Sequence, residues 1–276
     1  MNWRKIWAVA KKDLTEVRQN KAAWMPMVIV PVIFVVIMPL ALILIPTSLN
    51  IPASSLTSDP DMQMFFSNLP AEMNRNLQGL NEMQSMIMIM LGYFFAPMFL
   101  ILPLIFSTTI AAESFAGEKE RKTMEALLYT AATDLELFAG KVLAGALPAV
   151  VISWVSFAGY TVVLNTAGFS VFEKIWFPLP TWYPLIFWLT PALAFFGIII
   201  TVLISTRVQT FMGAYQTSAS TVLLVLALLV GQATGVLYLS VGMGMLIGLI
   251  LWLVDGVLLY FALKVFNRST LLAKSG

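Results

Sequence analysis

Six apolar runs, at about 24–45, 86–112, 142–165, 182–204, 212–234 and 241–263, constrain this chain more than any other feature. About 20 apolar residues in helical form cross the hydrocarbon core of a bilayer. Inside lipid the backbone must satisfy its own hydrogen bonds, which a helix does within one segment. The runs therefore predict an all-α, polytopic membrane protein with six transmembrane helices. Composition agrees: 59% of the 276 residues are hydrophobic and 11% charged, against roughly 25% charged in a soluble domain. With no internal repeat or low-complexity linker, residues 1–23 are expected to form an interfacial helix and 24–276 one membrane domain. The segment 212–263 is almost continuously apolar. "GQATG" (231–235) and "SVGMG" (240–244) mark a short turn or re-entrant dip between its two spans.

Lysine and arginine orient the spans. Fourteen of the sixteen lie in the N-terminal segment, in the connection between the second and third spans, after the fourth span and after the sixth. Only Arg75 and Lys174 lie in the opposite loops. The positive-inside rule puts both termini in the cytoplasm, as an even number of spans requires, and the expected location is the inner or plasma membrane. The long outer loop, about 46–85, contains Pro70-Ala71-Glu72, a helix start with Pro and an acid in the first turn. Met73, Leu77, Leu80 and Gln84 then share a face that leads into the second span. Trp176, Trp182 and Tyr183 of the second outer loop suit the membrane interface. At the N-terminus Trp3, Ile6, Trp7, Ala10, Leu14 and Val17 recur at helical spacing, with Lys and Arg on the other faces. That is the pattern of a helix lying in the headgroup plane. The same segment is charged over more than twenty residues and does not read as a cleaved signal peptide.

The chain has no Cys and no His. Disulfides, thiol nucleophiles and the usual Zn, haem or iron–sulfur ligand sets are excluded, as is the commonest physiological general base. No acid cluster has di-metal spacing, so the chain offers no credible catalytic set of its own. Pro26, Pro31, Pro39, Pro97, Pro103 and Pro191 lie in or near spans, where each frees a backbone carbonyl and permits a kink. Gly231-x-x-x-Gly235 and Gly244-x-x-x-Gly248 allow close helix approach and are candidates for a dimer seam. Asp255, well inside the sixth span, costs roughly 2.5–3.5 kcal/mol to insert and is expected to face a cavity or a hydrogen-bonding neighbour. An ion-coupled secondary transporter would use it as the coupling site, although intramembrane charge is sparse and no repeat is visible.

Against this greasy background stands "ESFAGEKERKTMEALLYTAATDLELFAGK", residues 113–141. Seven of the eight residues from Glu118 to Glu125 are polar. Gly117 interrupts the apolar run, and a helix is expected from about Glu118 to Tyr129. Glu118 and Lys122 sit at i, i+4 in the favourable order, and Met124, Leu127, Leu128 and Ala131 form an apolar stripe. Thr133-Asp134-Leu135-Glu136 reads as a capping box that starts the helix of the third span. "GEKERKT" (117–123) ends like a phosphate-cradling loop, but it lacks the Gly before Lys and follows no strand. Nowhere does the chain contain G-x-x-x-x-G-K-[ST], so ATP-driven work needs another polypeptide.

The stretch resembles the signature of type-2 ATP-binding-cassette exporter permeases. In that family Glu-Arg at the inner end of the second span precedes Thr-x-Glu-x-Leu-Leu and a Gly-Lys that opens the third. Gly117, Glu118, Lys119, Glu120, Arg121, Thr123, Glu125, Leu127, Leu128, Gly140 and Lys141 match position by position, while Ala131-Ala132 stands where the family often has Pro. The resemblance implies a dimer with a second permease copy or a homologous permease, in the lipid bilayer and without nucleic acid. It also implies a separate ATP-binding cassette ATPase subunit that binds ATP and Mg, leaving this chain without a cofactor. The inner loop would dock in a groove on that subunit through Glu118, Lys119, Glu120, Arg121, Lys122, Thr123, Met124, Glu125 and Leu128. Glu118, Glu120, Arg121 and Glu125 would make polar contacts, and Met124 and Leu128 would fill the groove. Substrate would move outward from the cytoplasm or inner leaflet; the overall pattern leans toward the sodium- and drug-export branch, and lipid or peptide export fits the apolar character equally well.

Overall fold

The computed structural model describes residues 1–49, 69–123 and 130–265. Among these residues every regular element is helical. Helix α1 is Trp3–Gln19, and α2, Lys21–Ser48, is the first of six helices long and apolar enough to cross a membrane. The short helix α3 is Ala71–Leu77. The other five spans are α4 (Glu82–Glu120), α5 (Asp134–Phe172), α6 (Trp182–Ser205), α7 (Phe211–Ala233) and α8 (Val241–Lys264). Each predicted apolar run lies within one of them or overruns it by a single residue.

α4 and α5 have 39 residues each, about 58 Å at 1.5 Å per residue. A hydrocarbon core is only about 30 Å thick, so both helices continue well past it at the charged end. α4 and α6 form the buried centre of the bundle, and α2, α7 and α8 are peripheral. The peripheral helices expose residues such as Leu223, Val230, Leu253 and Val257, as lipid-facing helices do. α4 packs on α5 and α6, α6 on α8, and α1 lies along α5.

Local signals in the sequence start and widen these helices. α5 begins with a complete Thr133–Glu136 capping box, and a second box, Asn81–Gln84, starts α4. α3 follows Pro70 with Glu72 in its first turn. Pro39, Pro97 and Pro191 have no N–H to give the carbonyls of Val35, Tyr93 and Phe187. Each of those carbonyls lies in a segment of wide, π-type turns: Val32–Ile37, Met88–Phe94 and Leu185–Leu189. α7 ends at Ala233, Gly235 is left-handed at φ 72°, and the Leu237 N–H donates to the Gly231 carbonyl at 2.8 Å. This closes the helix end, so the break between the last two spans is a turn.

Two expectations need correction. Of the outer-loop aromatics only Tyr183 is exposed; Trp176 and Trp182 are buried. Trp182 packs between the rings of Phe99, Phe157, Tyr160 and Phe177 at centroid distances of 4.9–5.7 Å, a core position. The second glycine pair serves the chain's own packing. A Cβ on Gly248 would fall 2.3 Å from the Trp188 ring of α6, and one on Gly244 would fall 3.2 Å from Pro184. These glycines let α8 lie against α6, and Gly231 and Gly235 shape the end of α7.

Candidate functional site

Glu118 does not begin a new helix. α4 continues through Gly117 to Glu120 and ends in a turn at Arg121–Lys122, where Lys122 is left-handed at φ 57°. The helix expected from Glu118 to Tyr129 is corrected at its start: Glu118, Lys119 and Glu120 are the last turn of the second span. Continuity carries the side chains of that turn inward, toward neighbouring helices. Met124, Glu125, Leu127 and Leu128 lie outside the described residues.

Glu118 is fully buried, and both of its carboxylate oxygens are engaged. Oε2 lies 2.7 Å from Lys141 Nζ of α5, and Oε1 accepts from Lys12 Nζ of α1. Lys141 is also fully buried. It donates to the Ser114 carbonyl at 2.6 Å and Ser114 Oγ at 3.1 Å, and stands 3.3 Å from Asp13 Oδ2 and 5.1 Å over the Phe115 ring. The Ser114 hydroxyl in turn donates to Asp13 Oδ2. An ammonium out of water is tolerated only when paired and hydrogen-bonded, and Lys141 meets both conditions.

A second set of pairs continues from the first. Arg121 places Nη1 2.5 Å from Glu113 Oε1 and Nη2 3.1 Å from Glu16 Oε2. Asn20, the elbow between α1 and α2, donates to Glu113 Oε2 at 2.8 Å. The joint thus holds Lys12, Asp13 and Glu16 of α1, Glu113 and Glu118 of α4, Arg121 in the turn that follows α4, and Lys141 of α5. Burial pulls the Lys12 ammonium down, but Glu118, Asp13 and Glu16 outweigh it and the net direction is up. The oxygens of Asp13, Glu16 and Glu118 lie within 4.8 Å of one another, as metal ligands would. Lys12 Nζ contacts all three carboxylates, so a lysine is the cation of that cluster.

The Gly-Lys pair that opens the third span is now explained. A Cβ on Gly140 would lie 2.7 Å from Val9 Cβ and 2.9 Å from the Ile6 carbonyl. Only glycine lets α1 reach α5, and Lys141 then binds it by charge. The capping residue Glu136 joins in by accepting from the Asn2 N–H at 2.6 Å, while Lys5 donates to the Ala131 carbonyl at 2.6 Å. Gly117 has a similar use, since a Cβ there would sit 3.1 Å from the Glu113 carboxyl and 3.2 Å from Arg121 Nη1.

The remaining candidates divide. Glu120 Oε2 accepts from the Phe211 N–H at 2.8 Å and Lys119 donates to the Ser205 carbonyl, so both brace the junction of α6 and α7. Lys122 and Thr123 are exposed at the tip. Sequence reasoning missed Lys12, Asp13, Glu16, Asn20 and Glu113. A signal existed: Asp13 sits between Ala10 and Val17 on the face that α1 buries. Trp3 and Trp7 are exposed instead, which splits the single predicted apolar face of α1 in two.

Residues 7–269 match the family described as ABC-2 family transporter protein. The chain belongs to the ABC-2 transporter family. Comparison with curated proteins and with solved structures returned no match. As an ABC-2 family member with six apolar helices it is a multi-pass membrane protein, the membrane component of a transporter. In this ABC-2 chain Asp255 is buried, and neither carboxylate oxygen has a hydrogen-bond partner. Its helical neighbours Leu258 and Ala262 pack with Ile199 and Val202 of α6, and Trp252 meets Phe195. The expected hydrogen bond to a neighbouring helix is not formed among the described residues. The neighbours of Asp255 on that face, Leu258 and Ala262, are apolar, and among the described residues no polar group bonds to it.

Proposed function

We propose that this chain is the permease subunit of an ATP-driven exporter, in the inner or plasma membrane with both termini in the cytoplasm. It works beside a second permease copy or a homologous permease, and a separate ATP-binding cassette subunit binds ATP and Mg and supplies the motion. The observation that carries this reading is the ionic joint. It fastens α1, α4 and α5 at the end of the molecule where the basic residues gather, and α4 and α5 are its two longest helices. A corner held that firmly takes a push and passes it along both helices without shearing.

Contact with the ATPase subunit is assigned to the exposed tip, Lys122 and Thr123, together with Met124, Glu125 and Leu128. Glu118, Lys119 and Glu120 act one step behind, by keeping the tip rigid against α1, α5 and the start of α7. Arg121 belongs to both sets. A cavity of about 310 Å³ beside the joint, lined by Lys5, Val9, Lys12, Thr130 and Ala132, gives a partner side chain a place to enter.

Purification of the tagged chain from its native membrane tests this reading. A co-purifying subunit carrying G-x-x-x-x-G-K-[ST], with Mg-dependent ATP hydrolysis, is the expected result. Lys122→Glu should weaken the hold on that subunit severalfold without harming the fold. Arg121→Glu, which sets a carboxylate against Glu113 and Glu16, should uncouple hydrolysis from transport. Transport driven by a proton gradient without ATP would instead support the ion-coupled reading, and full transport by Asp255→Asn would dismiss it. Sodium ion and cationic drugs are the first compounds to test for stimulation of hydrolysis.

A further inference from the structure

The outer half of α4 presents three consecutive backbone carbonyls to three other spans. Leu91, Gly92 and Tyr93 lie in the wide segment Met88–Phe94, and Pro97 cannot donate back to Tyr93. The Tyr160 hydroxyl of α5 donates to the Leu91 carbonyl at 2.8 Å. Trp182 Nε1 of α6 donates to the Gly92 carbonyl at 2.6 Å, and Gln232 Nε2 of α7 to the Tyr93 carbonyl at 2.8 Å. Carbonyls along a broken helix can bind cations, but here each already faces a donor. They are structural fastenings.

The three fastenings differ in how easily they open. Tyr160 and Trp182 are fully buried and stacked together at 5.3 Å within the aromatic core, so neither leaves without disrupting that core. Gln232 is the next-to-last residue of α7, just before the left-handed turn at Gly235. In the outer part of that helix, Val222–Ala233, only Val225 and Gln232 are buried. The Gln232 Oε1 has no hydrogen-bond partner, so this side chain holds by one bond. That bond ends on Tyr93, where other outer elements also meet. Asn76 of α3 donates to the Tyr93 hydroxyl at 2.8 Å, and the Tyr238 ring lies 6.1 Å away.

We propose that Gln232 is a positioning residue for transport: it clasps α7 to the outer half of α4, and release of its bond to the Tyr93 carbonyl lets the two helices part on the outer side. The geometry makes this the weakest of the three ties, a single bond near the end of a thinly buried helix, so it opens first when α4 is moved from its inner end. The inference rests on the reading of the chain as an exporter permease with α3 outside the cell.

The chain has no cysteine, so a single introduced thiol reports on opening. Ala96 is buried one turn inward of Tyr93, in the segment Phe95–Phe99 on which α7 packs. Ala96→Cys in the full chain is labelled in intact cells with a membrane-impermeant maleimide. Gln232→Leu is expected to raise the labelling rate at least tenfold, and Gln232→Asn, one methylene shorter, to raise it less. Val225→Ala, which loosens the same helix through packing alone, should change the rate far less. An unchanged rate in Gln232→Leu, or an equal rise in Val225→Ala, overturns the clasp. Ser170→Cys, at the exposed outer end of α5, separates the two readings. If it is not labelled from outside, the assigned orientation is wrong; if it is labelled while the Ala96→Cys thiol stays indifferent to Gln232→Leu, the clasp alone is refuted.

Discussion

The two ends of α4 are fastened by different chemistry. At the charged end, the inner one in the proposed orientation, Glu118 pairs with Lys12 of α1 and Lys141 of α5, and Arg121 pairs with Glu16 of α1 and with Glu113. Asp13, Glu118 and Lys141 are fully buried. At the outer end neutral donors from α5, α6 and α7 reach backbone carbonyls. Removing one member of a buried ion pair strands the other, whereas a neutral hydrogen bond has a net worth of only about 0.5–1.5 kcal/mol. The inner end therefore behaves as one rigid piece, and at the outer end α7 is the helix that separates at little cost. A transporter pushed from one side and opening on the other needs that asymmetry.

The largest test of the contrast is Lys141→Met. It leaves Glu118 and Asp13 buried without the ammonium between them, and a stranded buried charge costs about 3–5 kcal/mol. Unfolding of the purified chain in detergent should show that loss, and adding Glu118→Gln should recover part of it. Gly140→Ala comes next. Its Cβ would fall 2.7 Å from Val9 Cβ and 2.9 Å from the Ile6 carbonyl, and overpacking of this kind costs about 1–3 kcal/mol. Limited proteolysis should then find α1 released from α5 while the spans stay protected. Tyr160→Phe, which keeps the ring and removes only the hydrogen bond to the Leu91 carbonyl, should cost about 1 kcal/mol. If Tyr160→Phe costs as much as Lys141→Met, the two ends are not different in kind.

Much of the fold was legible because its causes are local. A 20-residue apolar run, a Thr-x-x-Glu box and a proline that removes one donor all act within a few residues of themselves. The joint was not legible, because its pairs lie far apart in the chain: Lys12 and Glu118 are 106 positions apart, Lys141 and Asp13 128. The concentration of charge at 113–125 was visible, but its direction was not. Read alone it faces outward toward a partner, yet Glu118 faces inward because α4 does not stop at Gly117. Trp182 was misplaced for a related reason. A tryptophan in an outer loop suits the interface, and only the aromatic neighbours brought by α4 and α5 make it core. The prolines allowed for breaks in the helices, while Gln232, the donor that captures the carbonyl freed by Pro97, comes from another span.

The smallest effect expected is that of pH, and its shape separates the two ends again. The Lys12 ammonium is held above its ordinary value of 10.5 because Glu118, Asp13 and Glu16 outweigh the cost of its burial. A base whose pKa is higher folded than unfolded contributes stability that is complete below the unfolded value and is lost as pH rises through the folded one. With no histidine in the chain, this contribution stays constant between about pH 6 and 9, far below the lysine range. The share of the unfolding midpoint that Lys12 supplies should be flat across that interval and fall only when pH climbs past about 10.5, where the unfolded lysine gives up its proton while the folded one still holds it. Lys12→Met should lower the midpoint throughout and flatten part of the alkaline fall, whereas Gln232→Leu at the neutral outer end should leave that fall unchanged. If the difference between the native chain and Lys12→Met already shrinks between pH 6 and 9, Lys12 is not held in its charged form, and the inner joint loses the feature that sets it apart from the outer clasp.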